Sequence, residues 1–412
     1  MKKRKVVGST VLGNIVEYYD FGIYAMFAHV IGAQFFPVEN QYTQTLYSWL
    51  IFALGFMTRP MGGIIFGYIG DKVGRKSALT ISIIGMAICT LSIALLPGYA
   101  QIGIAAPLIL AFIRLCQGIC IGGEGAGSAI FILEHLRGYK PGLIGSIVMA
   151  SNMVGTLLAV FISILITHFF DNEPQAWRYG FLLGAAMGVI GLYMRYNLEE
   201  TPVFQEAKKD QKSNKLPLVQ VICRKWKDLI VVAFLGGVTS SMAYTIRGNM
   251  KHFFAHLGYA ENETLYLTTF ALLNFIIMLP IFGIIADKAG YKKFFYTTCY
   301  CTILLVTPTF YMFANLDVAI VLLGLFIFAA LTAAICAPAY PYAISSFAPE
   351  LRYSGVAFSW NLGIAIFGGT MPGISTFLVE RFNDQAPSYY IAFLALSFML
   401  VKYLFAKKSN TE

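Results

Sequence analysis

Charge is scarce in this chain. Asp, Glu, Lys and Arg make up 12% of 412 residues, about half the share in an average soluble domain. Long polar stretches are also missing, apart from residues 198–227. Together these absences exclude an ordinary soluble enzyme and a disordered chain. No Walker A loop, HExxH, nucleophile elbow or CxxC pair occurs, which removes the common ATPase, zinc-hydrolase, serine-hydrolase and dithiol chemistries. Cysteine is sparse and odd in number, at seven. Six of them (Cys89, Cys116, Cys120, Cys299, Cys301, Cys336) lie in apolar runs and Cys223 in a basic segment. They read as buried small hydrophobes, neither disulfides nor metal ligands. No metal and no cofactor is expected.

What is present is apolar surface. Hydrophobic residues are 58% of the chain and mean hydropathy is +0.68. A single water-bounded core could not hide that much, so the solvent must be lipid. Twelve apolar spans of roughly 20 residues fit, near 8–37, 46–70, 77–97, 101–135, 141–170, 176–197, 228–257, 262–286, 294–314, 317–349, 351–380 and 387–405. The fold class is therefore an all-α membrane protein, with a six-helix bundle over 1–197, a cytoplasmic loop over 198–227 and a second six-helix bundle over 228–412. The basic start, Met1-Lys2-Lys3-Arg4-Lys5, resembles a signal peptide. Asn14, Glu17 and Asp20 spoil the apolar stretch behind it, so an uncleaved first span is expected.

The net charge of +9 has no basic groove with interleaved aromatics behind it, and no nucleic-acid partner is expected. The bland reading is membrane orientation. Most of the 30 Lys and Arg fall at the two ends, in alternate gaps (Arg195 included) and in the central segment, with Lys208, Lys209, Lys212, Lys215, Arg224, Lys225 and Lys227. The opposite gaps hold acids: Glu39, Asp171, Glu173, Glu261, Glu263, Asp317 and Asp384. Positive charge marks the cytoplasmic side, so both termini are expected there, in a bacterial inner (plasma) membrane.

The chain repeats itself. Gly67-x-x-Gly70-Asp71-Lys72-x-Gly74-Arg75-Lys76 returns as Gly283-x-x-Ala286-Asp287-Lys288-x-Gly290-Tyr291-Lys292. Glu134 and Glu350 recur at the same spacing, each ending the fourth span of its half. Two parallel halves are a transporter architecture.

The loop from Gly67 to Lys76 resembles the signature of the major facilitator superfamily. Four other stretches narrow the likeness. They are Gly13-Asn14-x-x-Glu17-Tyr18-Tyr19-Asp20-Phe21-x-x-Tyr24, Arg59-Pro60-x-Gly62-Gly63, Arg114-x-x-Gln117-Gly118-x-x-x-Gly122-Gly123-Glu124, and Trp177-Arg178-Tyr179 followed by Glu200-Thr201-Pro202-x-Phe204. In order, they resemble the metabolite:proton symporter family, which includes proline/betaine, 2-oxoglutarate, citrate and shikimate transporters. The resemblance spans the chain. It departs at Glu134-His135-Leu136-Arg137-Gly138, where Ala-Pro and paired arginines are usual, and at Tyr291, where an Arg is usual. The tail after Lys408 is short, and an osmosensory coiled coil is not expected.

A charge at bilayer depth costs roughly 3 kcal/mol unless paired or wet. Each such residue therefore needs a reason. Glu17 and Asp20 share a helix face, and Asp20 lies about 20 Å along the first span. Arg114 in the fourth span is at a compatible depth for an Asp20–Arg114 pair. The resemblance implies that an acid in span 1 and an Arg in span 4 carry proton coupling; the bland alternative is a static ion pair. Glu17 and Glu124 are rival proton carriers, although Glu124 could equally hydrogen-bond a neighbouring helix end. Arg59 beside Pro60 reads as structural. Asp71, Arg75 and Lys76, with Gly67 before them and Asp287 and Lys288 in the repeat, read as latches for one access state. Asp71 is expected to sit at the N-terminus of span 3.

Arg247 in span 7 suits either a substrate carboxylate or an outer-gate salt bridge. Tyr24, Tyr244, Trp360 and Asn361 are the further substrate-binding candidates. The expectation is a proton-coupled secondary symporter of a small organic carboxylate or zwitterion, such as proline or betaine. It works by alternating access, as a monomer in the bilayer. A proton-coupled exporter and a non-transporting receptor or scaffold are the competing readings.

Overall fold

Apolar runs can satisfy their backbone in lipid only as helices or closed barrels, and here they form helices. The computed structural model describes residues 2–37, 40–170, 173–196, 198–209, 216–315 and 317–409. Among these, only helices and their connections occur. Glu39, Asp171, Lys212 and Lys215 lie outside the described residues.

The helices are α1 (Lys2–Met26), α2 (Ala28–Phe35), α3 (Gln41–Met57), α4 (Arg59–Lys72), α5 (Arg75–Leu95), α6 (Tyr99–Ile102), α7 (Ala105–His135), α8 (Pro141–Phe169), α9 (Trp177–Tyr196), α10 (Pro202–Lys209), α11 (Pro217–Arg224), α12 (Trp226–Tyr244), α13 (Met250–His256), α14 (Glu261–Ala289), α15 (Tyr291–Phe313), α16 (Val318–Cys336), α17 (Ala339–Ser345), α18 (Arg352–Gly363), α19 (Met371–Arg381) and α20 (Ala386–Ser409). Wider π-turns, Thr245–Asn249 and Ile364–Gly368, join α12 to α13 and α18 to α19.

Helices stand at all twelve expected places, and nine of the described ones are long and apolar enough to cross a membrane. The other three are α1, α9 and α15. Asn14, Glu17 and Asp20 interrupt α1, Arg178 and Arg195 bracket α9, and Thr and Tyr dilute α15. Span 2 is expected as one run and is broken at Thr58. Pro60 has no N–H to offer and sits in the first turn of α4, where none is needed. The 198–227 segment contains α10 and α11, with Val203, Phe204 and Val221 turned inward.

Two compact units emerge. The first comprises residues 1–137, 151–218 and 349–358, and the second 138–150, 219–348 and 359–412. In the first unit α4 lies so close to α7 that a side chain on Gly122 would strike the backbone of Arg59 and Gly62. Small residues permit this approach where lipid supplies no hydrophobic drive. The cysteines are free; Cys299 and Cys336 are buried, whereas Cys89, Cys116, Cys120 and Cys301 are half-buried. The expectation of burial thus holds for Cys299 and Cys336, and is corrected to partial burial for the other four, of which Cys89 and Cys120 pack against the core.

Candidate functional site

Asp20 lies on α1, 1% exposed. Its Oδ1 accepts from Thr90 Oγ1 of α5 at 2.8 Å. Its Oδ2 accepts from Gln117 Nε2 of α7 at 2.7 Å. The other end of Gln117, Oε1, accepts from Arg114 Nη1 at 2.9 Å. The expected Asp20–Arg114 contact is therefore corrected to a relay through Gln117. A helical turn separates Arg114 from Gln117, and the amide has one acceptor and two donors to share between them.

Arg114 lies flat on an aromatic floor. Its guanidinium carbon is 3.6 Å from the ring centre of Tyr24, with Phe21 and Phe52 at 5.4 and 5.7 Å. The hydroxyl of Tyr24 donates to the carbonyl of Ser48 at 3.2 Å. Arg59 shares this aromatic group, over Phe56 at 4.5 Å. Glu17 is buried on the same helix as Asp20, and one turn earlier Asn14 donates to Ser151 at 3.3 Å.

Glu124 forms a buried ion pair with Arg195, bonding both Nη1 and Nη2. Ser82 and Ser128 donate to the same carboxylate at 2.7 and 3.2 Å. Counting Arg195 among the cytoplasmic loop charges is thereby corrected. It is 2% exposed, drawn inward because a lone buried carboxylate is untenable.

The repeated loops come next. Asp71 ends α4 and caps a different helix from the one expected. Its Oδ1 accepts from Tyr353 N at 3.0 Å and its Oδ2 from Ser354 N at 2.8 Å. Those are first-turn N–H groups of α18, which have no partner within their own helix. The span 3 placement is corrected accordingly. The N-terminus of α5 is held instead by Glu200, whose carboxylate accepts from Lys76 N at 3.1 Å. Burial raises the pKa of Glu200, against the lowering pull of the Thr201 and Lys76 amides and of Arg75.

Arg75 completes the cluster. It donates to Asp71 at 3.1 Å, Glu134 at 3.3 Å and the carbonyl of Gly70 at 2.6 Å. Glu134 also takes Arg352 at 2.8 Å and Thr201 at 2.7 Å. Gly67 lets α4 reach α18, since its Cβ would lie 2.7 Å from Ser354 Cα. In the second unit Asp287 repeats the cap on α8, accepting from Gly142 N at 2.6 Å and Leu143 N at 2.9 Å. Lys288 is exposed beside it.

The remaining candidates stand in the second unit. Arg247 lies in the first π-turn, half-buried, 4.6 Å over the ring of Tyr244. Trp360 stacks on Tyr340 at 4.7 Å and 27°, and Asn361 is buried next to it in sequence. Gln117, Thr90, Glu134, Arg195, Glu200 and Tyr353 carry these clusters without having been assigned roles from sequence. Four of them had a signal: Gln117, Glu200 and the repeated Glu134 lie in noted motifs, and Arg195 is a charge inside an apolar run.

The profile of the Major Facilitator Superfamily matches residues 10–357 and 239–412. A glycine betaine/proline/ectoine/pipecolic acid transporter of Dickeya dadantii (strain 3937) is 30% identical, covering 99% of this chain and 84% of that protein. A putative proline/betaine transporter of Staphylococcus aureus (strain COL) is 34% identical, covering 98% and 88%. The proline/betaine transporter of Salmonella typhimurium (strain LT2) is 30% identical, over 96% and 82%. Among solved structures, the proton:xylose symporter XylE bound to 6-bromo-6-deoxy-D-glucose superposes with a TM-score of 0.77. It is 15% identical, covering 98% of this chain and 96% of that one. The human organic anion transporter MFSD10 superposes with a TM-score of 0.70, at 15% identity over 97% of each chain. At that identity the structures speak to the fold alone.

Proposed function

The chain belongs to the major facilitator superfamily, as a multi-pass membrane transporter rather than an enzyme, and on that premise we propose that it is a proton-coupled symporter. It imports a small carboxylate or zwitterion of the proline and glycine betaine kind by alternating access. The solute class rests on the names of the bacterial relatives. The coupling rests on one observation, the relay from Asp20 through Gln117 to Arg114. A carboxylate with a donor on each oxygen and a cation one amide away is stable when charged. When those helices part, the same group loses its donors and takes up a proton. An acid that changes charge between two access states carries a proton across.

The two caps support alternating access. Asp71 on α18 and Asp287 on α8 are made and broken at helix N-termini, where a carboxylate contributes about 0.5–2 kcal/mol. We assign them to latches holding one state, with Gly67, Arg75, Lys76, Glu134 and Glu200 around the first. Tyr244, Arg247, Trp360 and Asn361 are the second unit's solute-binding candidates. The distribution of Lys and Arg supports an inner-membrane orientation with both termini cytoplasmic, and a single chain supplies the whole path. The deciding test is uptake of labelled proline and glycine betaine into proteoliposomes under an imposed pH gradient, with a sodium gradient as comparison. Accumulation driven by protons is expected. Uptake indifferent to both gradients, or driven by sodium alone, would defeat the coupling reading.

A further inference from the structure

Arg114 uses only one edge of its guanidinium. Nη1 donates to Gln117, while Nε and Nη2 meet no acceptor, in a side chain that is 0% exposed. Those two nitrogens are neighbours on one side of the planar group. Their N–H bonds run side by side and form the fork that a carboxylate bridges with both oxygens. The faces of the guanidinium are committed to Tyr24, Phe21 and Phe52, whose rings attract charge.

Asp20 does not fill this role. Its oxygens are turned to Thr90 and Gln117, and neither meets Nε or Nη2. The side chain of Gln117 holds the remaining edge of Arg114 in place, so the fork has a fixed direction. A buried donor pair left unmet costs more than one never built. A fork held open in an aromatic setting, beside the coupling acid, is what a site for an incoming anion requires.

We propose that the Nε–Nη2 edge of Arg114 binds the carboxylate of the transported solute. Gln117 is the positioning residue that ties this edge to Asp20. The inference rests on the solute class proposed above and assigns the carboxylate to Arg114 instead of Arg247. It places solute and proton on the two ends of one amide.

The test needs binding without turnover. Detergent-purified full-length protein is heated with L-proline, glycine betaine or L-prolinamide, in which a neutral amide replaces the carboxylate. Ligand protection against unfolding then gives each affinity. The wild type should prefer proline over prolinamide by at least about tenfold. Arg114→Gln should weaken proline by about tenfold or more and bring that preference close to one. Arg114→Lys keeps the charge without the fork and guards against simple misfolding; it should also lose most of the preference. Arg137→Gln, which removes an exposed pair with Glu206 outside the site, should keep it.

A wild-type preference retained in Arg114→Lys, or lost in Arg247→Gln instead, overturns the assignment while leaving the transporter reading intact. Protection of the wild type by neither proline nor glycine betaine overturns the solute class and the assignment together.

Discussion

Asp20 accepts one hydrogen bond on each oxygen, from partners on two other helices. Asn in its place keeps the shape and one acceptor but cannot exchange a proton. Asp20→Asn is therefore expected to abolish uphill uptake under a pH gradient while sparing part of the solute counterflow measured without one. Accumulation at the wild-type level would pass the coupling role to Glu17. Glu124 is placed differently. Its pairing with Arg195 and two serines makes it a brace across α5, α7 and α9. Glu124→Gln leaves a buried guanidinium uncompensated, which costs about 3–5 kcal/mol. The expected result is a clear drop in thermal stability in detergent with proton coupling retained in the folded fraction. Replacing the pair together, Glu124→Leu with Arg195→Met, should recover most of the stability.

At the scale of elements, the two caps are equivalent devices placed 216 residues apart in sequence. Asp71 holds the start of α18 and Asp287 the start of α8. Each lies at the C-terminal end of its helix, α4 or α14, whereas transporter solutes bind near the bilayer midplane. Asp71→Ala and Asp287→Ala should each change the maximal transport rate severalfold while leaving the half-saturating proline concentration within about twofold. A large loss of affinity at an unchanged rate would remove the latch interpretation.

The loop between α4 and α5 is equally demanding. Gly74 has φ +151°, and a Cβ there would run into the Glu200 carboxylate. Gly74→Ala should cost about 1–3 kcal/mol and displace Glu200 from the first turn of α5. Loss of thermal stability together with slowed transport is the expected reading. Its counterpart Gly290, at φ +83° with open space around it, should show strain alone and a smaller effect.

For the whole molecule, the repeat places an aspartate cap in each half, so one chain contains every residue the proposed mechanism uses. Transport and ligand protection should persist in nanodiscs carrying single copies. Activity that appears only when two copies share a disc would require a dimer.

Much of this protein is legible in its sequence. Scarce charge and long apolar runs dictated membrane helices, because unpaired backbone cannot survive in lipid. The repeated Gly-Asp-Lys loops pointed to two halves, and the buried acids of span 1 and Arg114 of span 4 pointed to the proposed coupling region, because charge at that depth is rarely idle. What tertiary structure decided was which of these groups meet. Asp20 and Gln117 are 97 residues apart, Arg195 and Glu124 are 71 apart, and Asp71 and Ser354 are 283 apart. Helix periodicity orders neighbours three or four residues away and is silent about partners on other helices. Sequence therefore listed the charges, while packing chose Gln117 as the link between Asp20 and Arg114, turned Arg195 inward to Glu124, and sent Asp71 to a helix almost three hundred residues further along the chain.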